Sequence, residues 1–437
     1  MFHPFLLSPV PCLVPSPVRV VVSAPLVDVD LNLFSSDLLS SYAGQTPMSV
    51  LLHPSTQALN LSACLVPAAT LKETEDAVAF IKDYESERRE RAAAAAAGDS
   101  ESSSSSSSSF SSASSPPSFP VLPELKTTVG IHPYNVGVVV PTAFELSDLA
   151  NRLSSLLTSH YPSTIAAVGE CGLDYSPHFP PSSVQLPYFA RQVRSALRFR
   201  VPLFLHERNA HVDFIQILKE ELLRDESNSG WLEEGDPLPV PILVHCFTGS
   251  LAECATYVKL GCHLSFSGHV NKNGRVATKV VTKEVGGGVE QGEQGRSDDS
   301  LSADTGCSHS SATTDPRTIL GSKAVPLTRL MVETDAPYMG FKDCRSSLVL
   351  ADVAKKDGGL KLNSKELKKA KEKVFPNVAG SLEKVLSAVL EAINSSVPEG
   401  QDKLSRDQLA DITTANANNF FGFAAAKKSK AANEAEI

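Results

Sequence analysis

Five residues have side chains suited to metal binding, and each comes at the end of an apolar segment: His132, Glu170, His206, His245 and Asp335. Imidazole nitrogens and carboxylate oxygens bind hard or borderline divalent cations without any thiolate. Carboxylates are also rarely buried unless they are paired or bound to a metal. One such residue is more often structural, but five at the same position of a repeat predict a metal site.

The apolar segments have the length and the β-branched content of buried strands. We predict eight strands, at residues 25–33, 61–66, 126–132, 165–170, 201–206, 240–247, 262–266 and 329–335. Helices are predicted between or after them, at 34–42, 72–91, 143–157, 184–199, 212–223, 251–260, 380–390 and 407–421. This alternation predicts an α/β fold, a closed (β/α)8 TIM barrel. The carboxyl ends of barrel strands form one rim, so the five polar residues should converge on one cavity.

Two low-complexity insertions interrupt the pattern, and we expect both to be disordered loops. The first, at about 92–124, contains an alanine run, a serine run and several prolines, and the second, at about 284–316, is rich in Gly, Ser and Asp. Neither composition can bury much apolar surface, and surface loops tolerate extra length. We therefore predict one barrel domain over 25–423, with a disordered extension at 1–24 and a tail at 424–437.

Composition excludes several classes of protein. A net charge of −9 argues against a protein that coats nucleic acid through bulk charge. Eight cysteines without a CxxC pair indicate a reducing compartment rather than a disulfide framework. There is no apolar run long enough for a membrane span and no secretory or transit signal pattern, so we expect a cytoplasmic or nuclear protein. Nothing indicates an obligate protein partner.

Four segments, in order along the chain, resemble the signature blocks of the TatD family of metal-dependent deoxyribonucleases. They are VGECGLDY at 168–175, PLFLHERNA at 202–210, VHCFTGS at 244–250 and VETDAPY at 332–338. GIHP at 130–133 and the Asn-rich segment at 416–420 resemble further blocks, so that the likeness extends from about 25 to 421.

The resemblance implies an amidohydrolase-like barrel that holds two divalent ions and cleaves DNA as an exonuclease or endonuclease. It implies that Glu170 bridges both ions, that His206 and His245 bind one of them, and that Asp335 binds the other and acts as general base. Glu170 and Asp335 are thus the implied catalytic residues. His132 matches a family histidine close to the metals.

The first strand departs from the family pattern. Many members begin with Asp-x-His-x-His, whereas this chain has Asp28-Val-Asp-Leu-Asn32, which resembles the eukaryotic TatD-domain branch. Asp30 stands where that branch usually has glycine. Which of Asp28, Asp30 and Asn32 contacts an ion is open on the sequence. Oxygen ligands in place of imidazole favour Mg²⁺ or Mn²⁺, with Zn²⁺ as the alternative.

Substrate binding is expected at the rim. Arg208 follows His206, and a guanidinium suits bidentate phosphate contact, although an ion pair with Asp174 or Glu207 is the alternative. Three aromatic residues that adjoin candidate ligands could stack on bases or pack into the rim: Tyr134, Phe247 and Tyr338. Two other functions fit the same barrel, a metal-dependent amidase or esterase and a catalytically impaired binding protein.

Overall fold

The computed structural model describes residues 23–101, 122–224, 238–272, 314–356 and 364–424. Eight strands form one sheet in sequence order, and every neighbouring pair is parallel. Strands β1 to β8 are Leu26–Asp28, Leu61–Val66, Glu124–Val129, Ile165–Asp174, Leu203–Arg208, Ile242–Val244, His263–Phe266 and Leu330–Val332. The order and direction are those of a (β/α)8 barrel.

The barrel is nearly closed between β8 and β1. The Val29 amide donates to the Val332 carbonyl at 3.4 Å, and an isolated parallel bridge joins Leu31 to Ala336. The predicted TIM barrel is therefore confirmed.

Thirteen α-helices lie within the described ranges. Helices α1 to α13 are Ser36–Leu39, Pro47–Leu51, Pro54–Gln57, Leu71–Glu101, Ala143–His160, Ser182–Phe199, His211–Arg224, Leu251–Leu260, Pro316–Gly321, Ser347–Lys356, Ser364–Glu372, Leu382–Ser395 and Arg406–Phe421. None of these helices is long and apolar enough to cross a membrane.

Local sequence explains where several helices begin and which face they bury. Helix α5 starts at a capping box in which the Thr142 hydroxyl accepts from the Glu145 amide and the Glu145 carboxylate accepts from the Thr142 amide. Its buried residues Leu149, Leu153 and Leu157 recur every four positions, which places them on one face. That face packs with the main core between the helices and the barrel.

A second apolar cluster fills the barrel interior. Inward-facing residues such as Leu65, Phe204 and Met331 pack against Phe420 and Phe421 of α13. The last helix therefore closes one end of the barrel. The opposite end, where the strands terminate, carries the polar residues.

Helix α4 differs from the sequence prediction. A helix was expected to stop near residue 91 and give way to a disordered loop, but α4 continues to Glu101. Alanine is the strongest helix former, so the alanine run at 92–97 extends the helix rather than ending it. Helix α1 is also shorter than predicted: it spans Ser36–Leu39, whereas the sequence predicted a helix within 34–42. The remainder of both predicted insertions, at 102–121 and 284–313, lies outside the described residues, as do most of the N-terminal extension and the tail.

Candidate metal centre

Glu170 lies within β4 rather than at its end, because the strand runs on to Asp174 and all ten of its residues are buried. The pairing with β5 shifts between Val168 and Cys171, which places Glu170 at an irregularity of the ladder. Gly169, with φ +154°, makes this possible, since a Cβ there would lie 2.2 Å from the Phe204 carbonyl oxygen.

Three imidazoles surround one carboxylate oxygen. Glu170 Oε1 lies 3.3 Å from His132 Nε2, 3.2 Å from His206 Nδ1 and 2.8 Å from His245 Nε2. Burial alone would raise the pKa of Glu170, but the histidines outweigh it and hold that pKa well below its usual value. Four of the five predicted residues, contributed by β4, β5 and the loops after β3 and β6, thus meet at one point.

The second nitrogen of His206 also faces a carboxylate. His206 Nε2 lies 3.0 Å from Asp174 Oδ2, and Asp174 Oδ1 accepts from the Ser176 amide at 2.8 Å. Burial raises the pKa of Asp174, yet its hydrogen bonds with His206 and Ser176 leave that pKa below the usual value. Burial alone would lower the pKa of His206, but its hydrogen bonds with Asp174 and Glu170 outweigh burial and raise that pKa above its usual value. On the sequence, Asp174 was only a possible partner of Arg208; the signal for its role was its position in the same block as Glu170, VGECGLDY at 168–175.

His245 repeats this arrangement on the other side of Glu170. His245 Nδ1 lies 3.1 Å from Asp30 Oδ2 and 3.8 Å from Glu333 Oε1, and all three side chains are buried. The contact with Asp30 has the distance of an ion pair without the angle of a hydrogen bond. Among the described residues, Asp30 Oδ2, His245 Nδ1 and Glu333 Oε1 consequently have no hydrogen-bond partner.

These atoms fit a site for a cation. Asp30 Oδ2 and Glu333 Oε1 are buried carboxylate oxygens without a hydrogen bond that face the same nitrogen, His245 Nδ1, and a metal ion would remove the cost of burying them. Burial and the nearby charge of Asp335 raise the pKa of Asp30 well above its usual value. Burial lowers the pKa of His245, but Glu170 and Asp30 outweigh it and raise that pKa well above the usual value. Asp30 and Glu333 were not predicted as site residues, although Asp30 had been left open.

Two groups of ligand atoms could each hold an ion, and both include Glu170. One group consists of His132, Glu170 and His206, and the other of Asp30, Glu170 and His245; the ligand atoms of each lie within 4.8 Å of one another. The resemblance assigned His206 and His245 to a single ion, whereas these groups separate them. Imidazole and carboxylate ligands suit Mn²⁺ and Zn²⁺ at the first group, and the carboxylates of the second also suit Mg²⁺.

Asp335 faces the same cavity but belongs to neither group. The amide of Asn32 connects it to the second group, because Asn32 Nδ2 donates to Asp30 Oδ1 at 3.2 Å and to Asp335 Oδ1 at 3.3 Å. The Asp335 backbone amide also donates to the Asp30 carbonyl at 2.9 Å. Burial raises the pKa of Asp335 to about 7, with His245 opposing the shift and Glu333 adding to it.

Asp28, one of the three residues that the sequence left as possible metal contacts, forms hydrogen bonds with Thr334 instead. Its carboxylate accepts from the Thr334 amide at 2.9 Å, from the Thr334 hydroxyl at 2.7 Å and from the Asp30 amide at 3.3 Å. Burial raises the pKa of Asp28 to about 7. Asp28 therefore ties β1 to the segment after β8 and is part of neither candidate group.

The centre opens into a cleft of about 1430 Å³ whose walls carry the predicted substrate residues. Arg208 is exposed on one wall. Within the described residues Arg208 forms no ion pair with either carboxylate proposed as its structural partner: Asp174 pairs with His206, and Glu207 accepts from the Tyr257 hydroxyl at 2.8 Å. The structure thus leaves Arg208 facing the cleft.

The three aromatic residues considered for base stacking differ in exposure. Tyr134 and Tyr338 line the cleft and are 60% and 52% exposed. Phe247 is buried and packs edge-on against Tyr257 and Phe266, so for this residue the structure favours packing over base stacking. Its ring lies on the core side of the segment after β6, whereas His245 lies on the cavity side.

Comparison with known proteins connects this geometry to a family. Residues 76–288 match the family model of the TatD related DNases. The chain is therefore similar to the TatD family over this part of its length. It is 34% identical over 144 residues to the deoxyribonuclease Tat-D of Schizosaccharomyces pombe. This alignment covers 32% of the chain and 42% of the relative. It is 28% identical over 219 residues to the 3'-5' ssDNA/RNA exonuclease TatD of Klebsiella pneumoniae, covering 50% and 60%.

The matches with these curated TatD relatives span about half of their length. The structural likeness is more extensive. A TatD-family hydrolase from Entamoeba histolytica superposes with a TM-score of 0.53 at 16% identity, over 91% of this chain and 98% of the other. At that identity the likeness establishes the shared barrel fold.

Proposed function

We propose that this protein is a metal-dependent deoxyribonuclease that hydrolyses DNA phosphodiester bonds with two divalent ions, Mg²⁺ or Mn²⁺. One observation carries the proposal: Glu170 is common to two groups of residues whose ligand atoms could each hold an ion, and it lines the cleft. The names of the fission-yeast and Klebsiella relatives, both nucleases, support the choice of substrate.

The residues at the floor divide into two sets of ligands. His132, Glu170 and His206 would hold the first ion, and Asp30, Glu170 and His245 the second. Such ions supply a nucleophilic water near neutral pH and neutralise charge that develops on the phosphoryl oxygens. Asp174 orients His206, since its contact with Nε2 leaves Nδ1 facing Glu170.

Asp335 is placed to move a proton. It lies at the cleft beside the second group, and Asn32 contacts its Oδ1. With its pKa raised to about 7, a useful fraction of this carboxylate accepts a proton near neutral pH. Arg208, on the wall of the cleft, would bind a phosphate of the substrate through two parallel hydrogen bonds.

Cleavage assays on single- and double-stranded DNA test the proposal. We expect cleavage with Mg²⁺ or Mn²⁺, none with EDTA, and a loss of about 1000-fold or more in Glu170→Gln, because one substitution disrupts both ion sites. Glu391→Gln is the matched control, since Glu391 is a surface carboxylate, 69% exposed, paired with Arg317.

The alternatives give different results. The absence of cleavage on both DNA forms, or cleavage that survives EDTA and Glu170→Gln, would exclude the nuclease. An amidase or esterase predicts two bound ions without DNA cleavage, and an impaired binding protein predicts an empty or singly occupied centre. Metal content of the same preparation distinguishes the last two.

A further inference from the structure

A lysine-rich helix lies on the segment that leads from β8 to α12. Residues 364–373 contain five lysines and two glutamates, a net charge of +3 in a chain whose net charge is −9. Helix α11, Ser364–Glu372, forms most of this stretch, and the exposed residues Val374 and Phe375 follow it. We call residues 364–375 the basic arm.

Three lysines of the basic arm present their charge to solvent. Lys368 and Lys369 lie on α11 three and four positions after Lys365, so that all three occupy one face of the helix. Lys373 comes four positions after Lys369 and is also exposed. Within the described residues, the side chains of Lys368, Lys369 and Lys373 form no salt bridge. These three ammonium groups are consequently available to anions in solution.

The basic arm is attached to the loop that follows β8. The Arg345 guanidinium, which is buried, donates to the Ala370 and Lys373 carbonyls at 2.9 and 3.0 Å. These carbonyls lie at the end of α11, where a helix leaves its last carbonyl groups without partners of its own. The Asp343 amide also donates to the Lys371 carbonyl at 2.9 Å. The arm therefore has a fixed position relative to the barrel.

An exposed aromatic surface connects the basic arm to the cleft. Tyr338 lines the cleft and is 52% exposed, and Phe375 of the arm is 48% exposed. Their ring centroids are 6.5 Å apart. The two backbones also approach closely, since a Cβ on Gly340 would overlap the Val374 carbonyl oxygen. A polymer that leaves the cleft past Tyr338 would therefore reach the basic arm.

Charge and composition indicate which polymer this is. A nucleic acid carries one negative charge per phosphate along its length, and it attracts lysines at successive positions. A membrane surface is also anionic, but a helix that lies in the membrane interface needs a broad apolar face. Helix α11 has only one leucine and one alanine among its 9 residues. The basic arm therefore fits a nucleic acid backbone better than it fits lipid headgroups.

We propose that the basic arm is a second nucleic-acid-binding surface, outside the metal cleft, at which Lys368, Lys369 and Lys373 contact phosphates several nucleotides away from the bond that is cleaved. This inference rests on the proposed nuclease function and adds a site remote from the metal centre. Contacts to phosphates are independent of base sequence, and only substrates long enough to extend from the cleft to α11 can make them. The arm should thus raise the affinity for long substrates without changing the chemistry at the metal centre.

The salt dependence of binding tests the basic arm without requiring cleavage. The probe is a fluorescent DNA duplex of about 20 base pairs, which spans about 70 Å, and EDTA prevents its cleavage by removing metal ions. Each phosphate that a lysine neutralises releases about 0.9 counterions, so a variant that combines Lys368→Gln, Lys369→Gln and Lys373→Gln should lower the slope of log Kd against log salt by about 2 to 3. Between about 50 and 200 mM salt, the wild-type protein should therefore lose about 15- to 60-fold more affinity than this variant.

The matched control replaces three lysines elsewhere by glutamine. Lys82, Lys219 and Lys403 are exposed, lie on α4, on α7 and before α13, and do not line the cleft. Their combined replacement makes the same change of net charge and should leave the slope within about 0.5 of the wild-type value. A slope that is unchanged in the basic-arm variant, or equally lowered in both variants, would overturn the proposal. So would binding to phosphatidylserine vesicles that depends on the three lysines of the arm while the slope on DNA does not.

Cleavage assays separate failure of the basic arm from failure of the nuclease. Bis(p-nitrophenyl) phosphate is a phosphodiester too small to reach both sites, so its kcat/KM should be the same in the basic-arm variant and the wild type, whereas the KM for the long duplex should rise in the variant. Cleavage of DNA with a KM that the variant keeps would refute the arm and leave the nuclease intact. A salt slope that depends on the three lysines, without any cleavage by the wild type, would support the arm and refute the nuclease.

Discussion

Asp174→Asn tests the metal centre with very little change of shape. The carboxylate of Asp174 is buried, and its oxygens accept from two different donors, His206 Nε2 and the Ser176 amide. An asparagine offers a single acceptor oxygen. Because the Ser176 amide can only donate, the oxygen of asparagine should turn towards it and the NH₂ group should face His206.

This exchange should reverse the tautomer of His206. With an NH₂ donor opposite Nε2, the imidazole must accept there and carry its proton on Nδ1, the nitrogen that lies 3.2 Å from Glu170. A protonated Nδ1 cannot bind a metal ion. Loss of such an orienting partner typically lowers metal affinity by about 10- to 100-fold, or about 1.4–2.7 kcal/mol.

The effect can be measured as affinity and as stability. Calorimetric titration with Mn²⁺ should show the dissociation constant of the affected site rise by about 10- to 100-fold. At a Mn²⁺ concentration 100 times the wild-type constant, bound metal should stabilise the wild-type protein by about 2.7 kcal/mol in urea unfolding. The same concentration should stabilise Asp174→Asn by only about 0.4–1.4 kcal/mol.

Asp213→Asn is the matched control. Asp213 lines the same cleft and accepts from the Tyr175 hydroxyl at 2.6 Å, and it belongs to neither metal group. Its substitution should leave Mn²⁺ affinity unchanged. Mn²⁺ binding by Asp174→Asn within about 2-fold of wild type, in a folded protein, would refute the tautomer argument.

Three further predictions concern other residues. Asp30→Asn should reduce the number of Mn²⁺ ions bound from two to one, because it removes a carboxylate of the second group; two ions bound with unchanged affinity would exclude Asp30 as a ligand. Gly169→Ala should lower the free energy of unfolding by about 3 kcal/mol or more, because its Cβ would meet a backbone oxygen. Gly137→Ala, where φ is +84° and a Cβ would meet open space, should lower it by only about 1–2 kcal/mol. Equal losses in the two variants would contradict this prediction. Burial and Arg329 lower the pKa of His263 from 6.5 to about 4, so its titration costs no stability above pH 6.5 and destabilises the folded protein increasingly as the pH falls from 6.5 towards 4, because the unfolded state binds the proton first. His263→Phe should flatten the acid side of the stability curve by at most about 3 kcal/mol, and parallel curves for the two proteins would disprove it.

Much of the architecture follows from local sequence patterns. Helix α8 has the predicted bounds, because Ser250 caps its start and Gly261, with φ +100°, ends it. The eight strands were identified by short apolar segments between turn residues. Glu170 and the three surrounding histidines were identified as a group because they occupy equivalent places in this repeat.

Other features could not be predicted, for physical reasons that can be named. The extension of α4 through the alanine run was missed because low complexity was equated with disorder. Whether Phe247 stacks on a base or packs into the protein stayed open on the sequence, because which side of a segment faces the core depends on the backbone after β6. Asp174 was overlooked as a partner of His206, since their contact depends on the shifted pairing of β4 with β5.

The sequence by itself determined the order of strands and helices and the kinds of side chain at the strand ends, because periodicity and residue type act over a few neighbouring positions. Only the tertiary structure decided how those side chains pair. It shows that several imidazoles contact Glu170 Oε1, that one nitrogen of His206 faces Asp174, and that the Asp28 carboxylate accepts a hydrogen bond from Thr334. These outcomes depend on burial and on distances of a few ångströms between segments far apart in the chain. Closure of the barrel sets those distances, and with them the pKa values and the free ligand atoms of the centre.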